Sequence, residues 1–426
     1  MQTAFSTSTE QVLIHLLLQI AVILFVSRLV GTLFRLGGQS QSVGEILAGV
    51  MMGPSLFGHF VPGAFGWLFH PDGPALLPYF SHIGLVLALF LIGMEFDFGA
   101  VRAHVGKVVA IAAATLVGPL AAGALLASWL WTLAPGEKSF SAYALLLGMV
   151  MAITAIPIMG RILIELGLSR TRVGVLAISA GVVKDLFTWF LLAIVAGIAK
   201  PPVDAMHVLT MIAMTGLLSV GMLTLGRKAL ALAQRTFGWV DDRPSDALVT
   251  YLLVTLLLLA AATSAIGVFA IFGAFLAGAT VSSDRKLSHA VSSRFHDLTI
   301  NLFLPIFFTY TGLRADLSQL HGSLWGAMLV FTLVGTLMSG GVATLIARWR
   351  GMSGREALVM GALVNTPGLM ILILLNVGLD LGVIPATLFS AMVGHAMIRN
   401  LLAVPIVRWA ARDGLPAASE SDPVVD

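Results

Sequence analysis

Apolar runs long enough to cross a bilayer follow one another from Gln11 almost to Arg412, divided by short polar stretches. A helix rises about 1.5 Å per residue, so about 20 residues cross a hydrocarbon layer about 30 Å thick. Thirteen segments fit by length and flanking polarity: roughly 11–34, 43–58, 79–97, 105–132, 141–165, 172–198, 204–232, 246–263, 266–282, 296–314, 323–348, 356–379 and 383–410. The second is short and Gly-rich, and only Ser264-Ala265-Ile266-Gly267 divides the eighth from the ninth. The pattern predicts an all-α polytopic membrane protein of about 13 transmembrane helices.

The polar stretches give the orientation. Basic residues accumulate in the short loops on the cytoplasmic side of membrane proteins. With the N-terminus outside and the C-terminus cytoplasmic, the inner side holds 19 of the 24 Lys and Arg residues, and the outer loops hold Lys138, Lys200 and Arg314. Residues 59–78 form a Pro- and Gly-rich outer loop, 233–245 a hinge-like inner connection and 283–295 an amphiphilic inner loop. The N-terminal ten residues carry no Lys or Arg, so the first run is expected to be a retained span rather than a cleaved signal. Residues 416–426 are expected to be a short cytoplasmic tail.

Composition supports the same picture. The chain is 58% apolar and only 11% charged, against about 25% charged in soluble domains, and its mean hydropathy is +0.97. The net charge of +3 comes from short loops, so the expected partner is the lipid bilayer and not nucleic acid. With no cysteine, disulfides, thiol catalysis and Cys-ligated metals are excluded. There is no phosphate-cradling glycine loop, HExxH or GxSxG, so neither an enzyme nor a resident cofactor is expected.

Two features carry chemistry. The first is Lys184-Asp185, near the middle of the sixth segment, where a lone charge costs about 2.5 to 3.5 kcal/mol on insertion scales. Adjacent helical residues point about 100° apart, so the two face different partners. Asp185 is the candidate for a monovalent cation or a proton, because hard cations take oxygen ligands and a carboxylate binds either species. Lys184 is directed at a polar neighbour or a helix C-terminus. The second feature is a pair of interrupted spans: Ala152-Ile153-Thr154-Ala155-Ile156-Pro157 in the fifth segment and Asn365-Thr366-Pro367-Gly368 in the twelfth. Proline removes an internal hydrogen bond, and backbone freed at membrane depth survives only inside protein or beside a water-filled cavity. A matched pair points to an inverted-repeat transporter whose site lies where the breaks cross. Two unrelated proline kinks are the plainer alternative. In the last span His395 and Arg399 lie a turn apart, with Arg399 expected to cap freed carbonyls or pair with an acid.

These segments, with Val43-Gly44-Glu45-Ile46-Leu47-Ala48-Gly49 through Gly53-Pro54, Leu89 through Glu95, Gly273 through Gly278, Leu304 through Phe308 and Gly312-Leu313-Arg314, resemble the monovalent cation/proton antiporter family 2. That family includes Kef-type, NapA-type and CHX-like exchangers, and the resemblance keeps its order along nearly the whole chain. It implies an NhaA/NapA-like fold in residues 1–415 with two inverted repeats. A dimer-forming part would cover about 11–97 and 246–314, a transport core about 105–198 and 323–410, and a linker helix about 204–232. It further implies an inner-membrane homodimer, Asp185 as the ion-binding aspartate and Thr154 as a secondary ligand. Pro157, Asn365, Thr366 and Arg399 would support the site.

The sequence departs from the family at Lys184, where members carry Asp, Asn or Gln. It also lacks a Lys within the eleventh span, and Pro367 and Ile371 stand where CHX-like members read Arg and Glu. The expected function is elevator-type, electroneutral exchange of K⁺ or Na⁺ for H⁺, both being substrates rather than cofactors. The alternative is proton-coupled export of an organic or anionic solute.

Overall fold

The computed structural model describes residues 9–69, 76–95, 105–155, 159, 163, 172–199, 205–240 and 243–410, apart from some side chains within those ranges. Helices α1 (Thr9–Leu36), α2 (Gln41–Met52), α3 (Phe57–Phe60), α4 (Pro62–Leu68) and α5 (Leu77–Met94) are followed by α6 (Val105–Leu133), α7 (Phe140–Ala152) and α8 (Arg172–Ala199). Then α9 (Ala205–Gly221) runs through a π turn, Met222–Gly226, into α10 (Arg227–Phe237). A two-residue antiparallel ribbon, β1 (Trp239–Val240) with β2 (Arg243–Pro244), leads to α11 (Asp246–Ile266), α12 (Ala270–Val281), α13 (Arg285–Leu298) and α14 (Leu304–Leu313). The last part comprises α15 (Gly322–Thr336), α16 (Val342–Trp349), α17 (Gly354–Val364), α18 (Gly368–Asp380) and α19 (Ala386–Ala410). Among the described residues eight helical stretches are long and apolar enough to cross a membrane, and three shorter apolar helices accompany them.

Local chemistry accounts for the boundaries. The second expected span stops early, at Met52, because Gly53 is extended and Pro54 has no N–H to continue the helix. Ser139 and Ser245 cap α7 and α11 by accepting from Ala142 N and Leu248 N. Gly267, at φ 98°, ends α11 and separates the eighth and ninth spans at the expected place. The segment 283–295, expected as an inner loop, is instead mostly helix. Asp284 accepts from Leu287 N to start α13, which passes through a π turn, Thr299–Phe303, into α14. Likewise the stretch 59–78, expected as an outer loop, contains α4, opened by Pro62.

Helices in lipid gain little from hydrophobic association with one another, so close van der Waals contact between small residues decides their packing. A Gly-x-x-Leu-Ala-Gly run occurs twice, at Gly44–Gly49 in α2 and Gly273–Gly278 in α12. In both places the final glycine meets another glycine on a helix of the other half. A Cβ on Gly49 would lie 2.9 Å from Gly312 Cα, and one on Gly278 would lie 2.9 Å from Gly93 Cα. Neither approach leaves room for any side chain.

Among the described residues three apolar clusters fill the interior, one of them around Ile23, Ala48 and Ile306, and the other two flank the helix breaks. Of those two, one includes Met151, Ala155, Trp189, Leu369 and Leu372; the other includes Met159, Ala180, Val183, Leu363 and Val364. Helix α8 passes from one cluster to the other between Val183 and Trp189, and the twelfth span does so between Val364 and Leu369. The polar residues of both lie at that seam.

Candidate functional site

Helix α7 ends at Ala152, and Ile153 turns the chain extended at φ −68°, ψ 148°. On the other side α17 ends at Val364, and Asn365-Thr366-Pro367 intervene before α18. The two breaks meet. Ala155 N donates to Thr366 O at 2.6 Å, and the Thr154 hydroxyl donates to Val364 O at 2.8 Å. Each interruption therefore supplies partners for the backbone that the other frees, which satisfies the requirement of a nonpolar medium. Gly368, at φ 52°, restarts the helix in a conformation that L side chains rarely adopt, and its N–H donates to Asn400 Oδ1 at 3.1 Å.

Two cations serve this crossing. Lys184, 1% exposed, donates from Nζ to Thr154 Oγ1 at 2.8 Å. The threonine hydroxyl has a single hydrogen, already given to Val364 O, so it meets the ammonium with a lone pair. Arg399 is wholly buried. Its Nε and Nη2 donate to Asn365 Oδ1 at 3.0 and 2.7 Å, and Nη1 donates to Met151 O at 3.1 Å. That carbonyl lies in the last turn of α7, where intrahelical donors run out; Ser339 Oγ supplies it with a second donor at 3.0 Å. Arg399 thus pins the end of one broken helix to the break in the other. A buried charge needs such a set of hydrogen bonds to be tolerated. Next to it His395 shares a hydrogen bond with Thr332 through Nδ1 at 2.9 Å.

The structure accordingly brings together Lys184, Thr154, Asn365, Thr366 and Arg399. Asp185 follows Lys184 on α8, but its side chain lies outside the described residues, as does Pro157. Sequence reasoning missed Asn400 and Ser339. The available signal was a polar side chain within an apolar span, which in Asn400 is overshadowed by the adjacent Arg399.

The profile of the family described as "sodium/hydrogen exchanger, transmembrane" matches residues 21–412. The chain belongs to that family of transporters. Similar proteins include the Na⁺/H⁺ antiporter NhaS4 of Synechocystis, 34% identical over 93% of this chain and 97% of the relative. The K⁺/H⁺ antiporter 1 of Saccharomyces cerevisiae is 29% identical over 99% of this chain and 50% of the relative. Cation/H⁺ antiporter 20 of Arabidopsis thaliana is 29% identical over 92% and 48%. The chain spans about half the length of these yeast and plant relatives. In fold it matches the sodium proton antiporter MjNhaP1 of Methanocaldococcus jannaschii, with a TM-score of 0.67 at 15% identity over 94% of this chain and 98% of that one.

Proposed function

We propose that this exchanger-family chain carries a monovalent cation, K⁺ or Na⁺, in exchange for a proton, by elevator-type alternating access around the crossing. The observation that carries the reading is the chain of contacts Lys184 Nζ to Thr154 Oγ1 to Val364 O, one residue from Asp185, at the meeting of two helix breaks. Asp185 binds the cation, with Thr154 as a secondary oxygen ligand, or else a proton. Lys184 acts as a tethered cation that occupies Thr154 Oγ1 when no ion is bound. Pro157, Asn365, Thr366 and Arg399 hold the breaks in register. With one carboxylate, the simplest stoichiometry is one cation for one proton, which is electroneutral.

The repeated Gly-x-x-Leu-Ala-Gly run, its two reciprocal glycine contacts and the paired breaks support two inverted repeats within a 13-helix plan. In that plan 11–97 and 246–314 form the dimer-forming part, 105–198 and 323–410 the moving core, and 204–232 the link. The protein works as a homodimer in the cell (inner) membrane, with the N-terminus outside.

The test is proton flux in proteoliposomes that carry an interior pH dye, with Na⁺, K⁺, Li⁺, Rb⁺ or choline added outside. A cation-dependent pH change that is lost in Asp185→Asn is the expected result and names the ion. No response to any alkali cation from folded protein would overturn it. A second reading, proton-coupled export of an organic or anionic solute, is favoured by the two buried cations, Lys184 and Arg399, at the crossing. Lys184→Asn separates the two: loss of alkali-cation exchange means that Lys184 carries protons, as in the first reading, and exchange gained where the native protein shows none means that Lys184 blocks it, as in the second.

A further inference from the structure

Far along α18 from the break stands a second polar assembly. Arg314, just past the end of α14, donates from Nη2 to Asp380 Oδ1 at 2.6 Å and from Nη1 to Asn376 Oδ1 at 2.9 Å. Asn376 in turn donates from Nδ2 to Thr311 Oγ1 at 2.9 Å, back on α14. Arg314, Asn376 and Thr311 thus close a ring between two helices. Residues 376 and 380 are neighbours on one face of α18, and Arg314 lies one turn beyond Thr311 at the end of α14. The guanidinium lies 5.6 Å from the ring centres of both Tyr310 and Phe389. His82 Nε2 on α5 stands 3.9 Å from Asp380 Oδ2.

An ordinary surface ion pair contributes little, because water screens it and two long side chains lose freedom. Here one guanidinium holds two acceptors on a single helix turn, with only 20% of the Arg314 side chain exposed, and charge-assisted paired bonds of this kind are directional and strong. The following loop extends the tie: Asp316 N donates to Ser390 Oγ on α19 at 2.9 Å, and Leu317 N donates to Ser55 Oγ beyond α2 at 2.8 Å. Helix α18 is 13 residues long, about 20 Å at helical rise, with the break at its start and this ring at its end. The helix is a stiff rod between the two. A displacement of α18 against α14 that exposes the crossing from the Arg314 end has to part the ring. The positive-inside pattern puts Arg314 on the outer side of the membrane.

We propose that Arg314, Asn376, Asp380 and Thr311 form a latch that closes the outer side of the transporter and opens in every turnover. The proposal rests on the alternating-access reading above. Because the chain contains no cysteine, the double variant R314C/D380C can be bridged by a reducible bis-methanethiosulfonate linker without further engineering. Bridging is expected to abolish cation-dependent proton flux, and reductant is expected to restore it, which also shows that the protein stayed folded. Undiminished flux in the bridged protein overturns the latch while leaving the exchange reading intact. Absent flux in the unmodified protein overturns the exchange reading instead. The latch is then read without flux, by labelling T154C in intact cells with an impermeant maleimide. Adding R314A is expected to speed that labelling from outside, and equal rates with and without R314A overturn the latch. A charge exchange, R314D/D380R, is expected to be more active than either single variant; activity no better than the single variants counts against it.

Discussion

Two stretches of the chain, both apolar enough to cross a membrane, have opposite surroundings. The segment Gly354–Asp380 has a mean hydropathy of 2.2 in its most apolar window, and 94% of that window is buried in protein. The segment Leu209–Phe237 has 1.7, with only 11% buried. The first is broken in the middle, at Asn365-Thr366-Pro367. The second departs from α geometry only through the π turn Met222–Gly226, which keeps the backbone bonded within the helix. Breaks at membrane depth are tolerated where protein groups replace the lost bonds: here Thr154, Ala155, Asn400 and Arg399 do so. A lipid-facing helix has no such neighbours.

The largest effect is expected from a proline placed in the exposed helix. Leu217→Pro, at an exposed position of α9, should destabilise by about 3 kcal/mol or more, since it removes an internal helix hydrogen bond and clashes with the preceding turn. The thermal midpoint in detergent measures this, and an unchanged midpoint would contradict the role given to surroundings. Arg399→Ala should come next, at about 3 kcal/mol, because it removes charge-assisted bonds to Asn365 and Met151 that hold both broken ends. Its effect on proton flux should be at least as severe as its effect on the midpoint. Thr154→Ala should cost about 1 to 3 kcal/mol by leaving the Lys184 ammonium without one of its acceptors. Thr154→Ser, which keeps the hydroxyl, should recover both stability and cation-dependent flux; a Ser variant no better than Ala would remove Thr154 from the site. Leu217→Ala is the small end of the series, expected within about 0.5 kcal/mol in the same melt, since it alters only an exposed side chain.

Much of the site was legible because polar residues stand out in apolar runs. Lys184, Asn365 and Arg399 are costly to bury, and the two interrupted spans show as Pro and Asn where a helix would continue. Which residues meet was not legible. Lys184 is adjacent in sequence to Asp185, yet its ammonium donates to Thr154, thirty positions away, because neighbours on a helix diverge while crossed helices converge. The sequence of α13 reads as a loop because few of its residues are apolar, although Asp284 stands where a capping side chain starts the helix.

By itself the sequence determined that this is a helical membrane protein, roughly where its spans lie and where two of them are interrupted. Those properties follow from side-chain hydrophobicity and backbone hydrogen bonding, which act locally. It also carried the repeated Gly-x-x-Leu-Ala-Gly runs, but not that each packs against a glycine of the other half. The tertiary structure decided that pairing, the meeting of the breaks, the reach of Arg399 to Met151 and Asn365, and the joining of Arg314 to Asp380. Each of these depends on distances between segments far apart in the chain, and only the packed fold sets them.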